Sequence, residues 1–246
     1  GISASLRSDK ELYSYIMPFS IHTLIPVEFT VKSWIQLFTK YKFLQPVLNT
    51  VFITAATIVF GCILNSIAAF AFAMFDFKGK KILFVLILLS FMIPFEAIAL
   101  PLYQVADRLN MVNTYQGMII PGIASGLVMF LFIQFFRDIP AELLEAARVD
   151  GANTWQALMR IKLPLIKTPM LLSTIVLTMS NFNNNTVPLI LTGGGPGTAT
   201  NVISLELYRM GFTYYKFGLA SALSVLVFLV NIVFVVLYVR MIKYDV

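Results

Sequence analysis

The sequence predicts an all-α, polytopic transmembrane helix bundle, and three observations lead there. Of the 246 residues, 59% are hydrophobic and only 12% are charged, with a mean hydropathy of +0.84. Soluble domains run at about 45–50% apolar and about 25% charged, and one of this length could not hide the excess from water. The apolar residues also gather into runs of the length a bilayer demands, about 20 residues. Most of the cations sit in the polar stretches between those runs.

Five stretches are expected to span: 46–75, 82–105, 117–136, 165–192 and 218–239. Most carry Gly, Ala, Ser or Pro inside the apolar run, and small residues let membrane helices approach closely, so a packed bundle is expected. Pro94 and Pro188 are expected to bend their helices and free carbonyls. Orientation follows from charge. With 137–167 on the cytoplasmic side, ten of the 18 basic residues fall on three short segments there, and the rest spread over longer outer stretches, as the positive-inside rule asks. The C-terminus is then cytoplasmic. Residues 1–44 hold no convincing span and are expected to form an extracytoplasmic segment, with a further span ahead of Gly1. Residues 45–246 form the five-helix domain.

Several function classes fall away. The net charge of +6 forms no basic stripe, so a nucleic-acid partner is not expected. His22 and Cys62 are the only histidine and cysteine, far apart in sequence, which leaves a metal centre or a nucleophile–base set without material. No G-x-x-x-x-G-K-[ST] loop is present, so the chain is not expected to hydrolyse ATP by itself, and no catalytic residue is assigned. Glu96 is the one acid inside a span, as a pathway residue or half of a structural pair.

The informative segment lies between the third and fourth runs, at 138–169. Residues 141–149 read as an amphipathic helix, with Leu143, Leu144, Ala146 and Ala147 on one side and Glu142, Glu145 and Arg148 toward the other. Asp138 or Pro140 suits its start, and Gly151 its end. A second short helix is expected at 154–162, capped by Asn153 or Thr154, before Leu163-Pro164 returns the chain to the membrane. On physics alone such an element either lies on lipid headgroups or docks a protein; alanines beside Glu145 make a shallow face suited to a groove.

Glu145-Ala146-Ala147, Gly151, Ile161 and Leu163-Pro164 stand at the spacing of the cytoplasmic EAA loop of type I ABC importer permeases, and the chain resembles that family. The wording Asp150-Gly151-Ala152 is similar to its carbohydrate branch. Ser5-Leu6-Arg7 resembles the segment after the first span of maltose-type permeases. Asn181-Phe182-Asn183-Asn184 and Leu191-Thr192-Gly193-Gly194-Gly195-Pro196 resemble the partner-type subunit. The resemblance implies the type I importer permease fold, with 137–167 as the coupling loop. Glu145, Ala146, Ala147, Asp150, Gly151, Leu163 and Pro164 would seat against an ATPase. It further implies a second permease subunit, two nucleotide-binding subunits that hold ATP and magnesium, an extracellular solute-binding protein and a sugar substrate in a bacterial inner membrane. This chain itself would carry no cofactor.

Ser180, Asn181, Asn183, Asn184 and Asn185 cluster in the fourth run. An unpaired amide in hydrocarbon costs roughly 2–7 kcal/mol, so these groups either join neighbouring helices or line a wet path. The resemblance carries solute contact to Ser180 and Asn181, with Leu177 one turn below and Asn184 on the same side. Phe182 either stacks on a sugar or packs. Gly193, Gly194, Gly195 and Pro196 read as a flexible outer turn. That turn is either an ordinary loop or, by the resemblance, part of a docking region for the binding protein. Importers of glycerol phosphate or peptides, a membrane enzyme, and an ion-driven transporter are the rival readings. The first rival would want Arg or Lys mid-span for a phosphate, and none is there; the last gives no reason for the EAA spacing.

Overall fold

The computed structural model describes residues 1–14, 21–41, 43–140, 149, 151, 153, 156 and 163–243. Among them no strand occurs, and the chain is an all-helical bundle. Four short helices open it: α1 (Ile2–Ser5), α2 (Asp9–Ser14), α3 (Ile21–Leu24) and α4 (Lys32–Thr39). The bundle follows as α5 (Leu44–Met74), α6 (Lys80–Met92), α7 (Phe95–Arg108), α8 (Tyr115–Ile123) and α9 (Gly126–Arg137). Further along come α10 (Leu163–Leu165), α11 (Lys167–Asn183), α12 (Thr186–Leu191), α13 (Ile203–Tyr208), a π-helical turn (Arg209–Thr213) and α14 (Phe217–Lys243).

The central helix α5 is inverted relative to a soluble helix. Its buried side carries Asn49, Thr50, Thr54, Thr57, Gly61 and Asn65, while Phe52, Phe60, Ile63 and Ile67 face outward. Lipid accepts the apolar face, and on the buried side Asn49, Thr50 and Asn65 bond backbone groups outside α5. At the C-terminus of α5, Lys80 Nζ donates to the Phe75 carbonyl at 2.8 Å and pairs with Asp76 at 3.0 Å. A cation there satisfies a freed carbonyl and the negative end of the helix. Gly79, at φ +85°, turns the chain into α6.

Among the described residues three helical stretches are long and apolar enough to cross a bilayer: 44–74, 115–137 and 217–241. The expected second span is instead two helices, α6 and α7, meeting at 105°. Pro94 forces this: it lacks an N–H to bond the previous turn, and it holds Ile93 extended at φ −77°, ψ 123°. Glu96, expected inside a span, is exposed in the first turn of α7, where a helix N-terminus favours an acid. The expected fourth span is also divided. Its first helix, α11, has 17 residues, and Asn184 is extended before α12 begins.

The N-terminal segment packs against the start of α14. Glu11 accepts hydrogen bonds from the Val27 and Glu28 amides at 2.7 and 3.2 Å and pairs with buried Arg7 at 3.7 Å. Asp9 accepts from the Gly218 amide at 3.2 Å, which caps α14. A Cβ at Gly218 would lie 2.7 Å from Ser33 Oγ and 2.9 Å from Asp9 Oδ1. Gly218→Val should therefore lower stability by about 1–3 kcal/mol, read as a drop in thermal unfolding temperature in detergent; an unchanged midpoint would refute this packing.

Candidate functional site: a cavity where three helices break

Three interruptions converge: 93–94 between α6 and α7, 124–125 between α8 and α9, and 184–185 between α11 and α12. Residues from all three, with Thr50, Ile53 and Thr54 of α5, line a cavity of about 480 Å³. Ser90, Phe91, Ile93 and Phe95 come from the first break. Gly122, Ala124, Ser125 and Gly126 come from the second. The third supplies Leu177, Ser180, Asn181 and Asn184. Among the described residues, no charged side chain lines it.

The four residues singled out on the fourth run thus share one wall, in different roles. Leu177 is buried, at 4% exposure, as the apolar floor. Ser180 is exposed, and Asn181 is half-buried, its Nδ2 donating to the Leu177 carbonyl at 2.8 Å. Asn184 Oδ1 accepts from the Val187 amide at 3.1 Å, which caps α12 and leaves the side chain only partly available. One continuous helix would carry Asn184 on the side of Asn181; the helix ends at Asn183, and Asn184 reaches the same wall from the break. Asn183 turns to α14, where its Oδ1 accepts from Asn231 Nδ2 at 3.1 Å. Phe182 is buried edge-on against Phe234, at 5.6 Å between centroids, so its ring is packing.

Each break leaves backbone groups that must be paired in a water-poor interior. Pro188 has no N–H for the Asn184 carbonyl, and the Ser204 hydroxyl donates there instead at 2.6 Å. At the second break, Asn65 of α5 reaches across to Ile123 and Ser125. The wall residues on α5 to α9 were not legible as a site, since their contact depends on breaks in separate helices; Pro94 was the one signal for them. Thr54 is a further wall residue, 5% exposed, whose hydroxyl has no protein partner.

Beyond the cavity, toward the end holding the 193–202 loop, Asn49 Nδ2 donates to the Asn201 carbonyl at 2.8 Å, and the Thr50 hydroxyl accepts from the Ile203 amide at 2.9 Å. Tyr115 donates to the Ala199 carbonyl at 2.6 Å. The turn at 193–197, expected to be flexible, is pinned. The Gly194 amide donates to Thr192 Oγ1 at 3.1 Å, Thr200 donates to the Gly195 carbonyl at 2.6 Å, and Arg209 donates to the Gly193 carbonyl. Gly194 is buried, Gly193 and Gly195 are half-buried, and 196–199 are exposed, with a cis Gly195–Pro196 peptide.

Of the residues expected to seat against an ATPase, Glu145, Ala146, Ala147 and Asp150 lie outside the described residues. Gly151 adopts φ +78°, with nothing within 4 Å of a Cβ, so backbone conformation alone requires glycine there. The Asn153 and Gln156 side chains and amides bond reciprocally at 2.8 and 2.9 Å, the capping-box arrangement that opens a helix. Leu163 and Pro164 stand in α10, one turn before buried Ile166.

The profile of a family described as "binding-protein-dependent transport system inner membrane component" matches residues 58–243. The chain belongs to this family. It is a multi-pass membrane protein with the fold of an importer permease. It is 36% identical over 143 residues to the arabinooligosaccharides transport system permease protein of Halalkalibacterium halodurans, covering 58% of this chain and 51% of that one. To the sn-glycerol-3-phosphate transport system permease protein of Brucella suis it is 36% identical over 168 residues, covering 68% of this chain and 58% of that one. To the lactose transport system permease protein of Rhizobium radiobacter it is 32% identical over 157 residues, covering 63% and 58%. The chain thus spans just over half the length of these relatives. Among solved structures it resembles a chain of a bacterial ABC transporter that imports the acidic polysaccharide alginate, at TM-score 0.76 and 19% identity, over 99% of this chain and 87% of that one. At that identity the likeness concerns the fold.

Ser204→Ala should leave the Asn184 carbonyl unpaired and destabilise the chain by about 1–3 kcal/mol. Thermal unfolding in detergent reads it, and an unshifted midpoint would show that this bond does not hold the third break.

Proposed function

We propose that this chain is the permease subunit of an ATP-driven importer of a neutral sugar or oligosaccharide, forming half of the translocation pathway. The carrying observation is the cavity wall. It offers hydroxyls and amides from Thr54, Ser90, Ser125, Ser180 and Asn181, aromatic faces from Phe91 and Phe95, and no charge. Sugars present many neutral donors and acceptors and apolar ring faces, which such a wall suits. The names of the arabinooligosaccharide and lactose relatives support the same class.

On this reading the chain pairs with a homologous or identical permease, and each offers its 137–167 segment to one nucleotide-binding subunit. ATP and magnesium are bound by those subunits, and this chain is not an enzyme by itself. A solute-binding protein delivers the sugar on the outer face, where Gly193, Gly194, Gly195 and Pro196 lie within the docking region. The C-terminus is cytoplasmic. Closure of the ATPase dimer draws the coupling segments together and switches the bundle between inward-open and outward-open states. Glu145, Ala146, Ala147, Asp150, Gly151, Leu163 and Pro164 form the seat. Leu177, Ser180, Asn181 and Asn184 belong to the path.

A second reading, import of a glycerol phosphate, is favoured by the Brucella suis relative. A dianion in a low-dielectric path wants Arg or Lys beside it, and the lining has neither.

Purified from its own membranes in mild detergent, the chain should bring a nucleotide-binding subunit and a second permease with it. Gly151→Asp should remove the ATPase from that complex and abolish uptake while the chain still inserts. A chain that purifies alone, even after crosslinking, would overturn the importer reading. Asn181→Leu should raise the half-saturating solute concentration for uptake about tenfold, for the loss of a polar contact worth about 1.4 kcal/mol; an unchanged uptake curve would remove Asn181 from the path.

A further inference from the structure

The second helix break is closed by a single side chain from another helix. Asn65 of α5 is fully buried. Its Nδ2 donates to the Ile123 carbonyl at 2.7 Å and to the Gly61 carbonyl of its own helix at 2.6 Å, and its Oδ1 accepts from the Ser125 amide at 3.1 Å. Ala124 and Ser125 are both extended, so the helix ladder is interrupted there. A carboxamide holds a donor pair and an acceptor on one planar group, and so can answer a carbonyl and an amide on the two sides of one break.

The corner is fitted closely on both flanks. A Cβ at Gly61 would lie 3.3 Å from the Ile123 carbonyl oxygen, and one at Gly122 would lie 3.0 Å from Thr57 Cγ2. On the far side, a Cβ at Gly126 would collide with Ser90 Oγ and lie 2.9 Å from the Ile87 carbonyl oxygen of α6. The break is therefore held between α5 and α6, with Asn65 as the polar clasp.

The position of this corner in the chain gives it a consequence. Gly122, Ala124, Ser125 and Gly126 line the cavity. From Gly126 the chain runs as α9, unbroken, to Arg137, where the 137–167 coupling segment begins. At 1.5 Å per residue its 12 residues reach about 18 Å. Val128, Phe132, Ile133 and Phe136 bury one side of α9 in a core shared with Cys62 and Ala69 of α5, so it sits as a stiff rod.

We propose that Asn65 is a positioning residue that clasps the cavity wall to α9, so that solute at the corner and the coupling segment at the far end of α9 are joined through one rigid element. This rests on the importer reading for what the coupling segment does. Asn65 touches no solute; it acts through the 123–125 corner.

The test uses the complete transporter, with its companion subunits and binding protein, in proteoliposomes, measuring solute uptake and ATP hydrolysis together. Asn65→Leu removes the clasp at similar volume. Asn65→Ser is the second variant, because a serine hydroxyl can bond the carbonyl four residues back in its own helix yet cannot reach the corner. The expected result is a fall of at least tenfold in solute moved per ATP hydrolysed, with hydrolysis within about twofold of wild type and the complex intact. Parallel loss of uptake and hydrolysis at an unchanged ratio would mark Asn65 as merely structural and overturn the proposal. Wild-type uptake per ATP in both variants, or failure of both to assemble, would overturn it too. If the unaltered transporter shows no ATP-dependent uptake, the importer reading fails, and that outcome is separate from the others.

Discussion

In hydrocarbon a backbone amide or carbonyl has only the protein to bond to, and this constraint shapes the whole bundle. An unbroken helix meets it by itself. This chain breaks three helices around one cavity and must supply partners from elsewhere. Asn65 answers Ile123 and Ser125, and Ser204 answers Asn184. The polar residues buried along α5 follow from the same need, and so does the apolar surface it turns outward. The cavity is the product: where helices stop, backbone and small side chains leave room, and the groups that line the gap are polar without being charged.

The fold class was legible because composition and run length reflect the solvent, and the solvent here is lipid. The helix that begins near residue 44 and the last one, near 217, were readable within a few residues, since nothing inside them interrupts the apolar run. The broken spans were harder. Pro94 announced a bend but not a 105° corner, which depends on Ile93 turning extended and on α7 finding its own packing. The break at 184–185 lies ahead of Pro188, at the carbonyl that proline leaves without a donor, so helical spacing, which runs one helix through Asn184, missed the turn that still brings Asn184 to the cavity beside Asn181. Asn65 was invisible as a functional residue, because its meaning lies in a corner 58 to 60 positions away.

The 193–197 loop teaches the converse. A run of glycines with a proline reads as freedom. Here it is fixed by Thr192, Thr200 and Arg209, and Gly194, at positive φ, passes close against Asn201. Together with the Asn49, Thr50 and Tyr115 bonds, this gives one end of the bundle a rigid lid of backbone, and the interrupted helices lie beneath it. A pinned loop at one end, an uncharged cavity beneath it, and a single stiff helix from that cavity to residue 137 form one connected element of the subunit.

The central claim is that the uncharged cavity selects a neutral polyhydroxylated solute in an ATP-driven path. The most direct measurement is accumulation by proteoliposomes that hold the complete transporter, with internal ATP. A neutral oligosaccharide carried by the binding protein would be offered against glycerol 3-phosphate. The account predicts that the oligosaccharide accumulates, that accumulation needs ATP and ignores an ion gradient, and that the phosphate ester neither enters nor competes. Entry of the phosphate ester in preference, or uptake driven by an ion gradient without ATP, would contradict it.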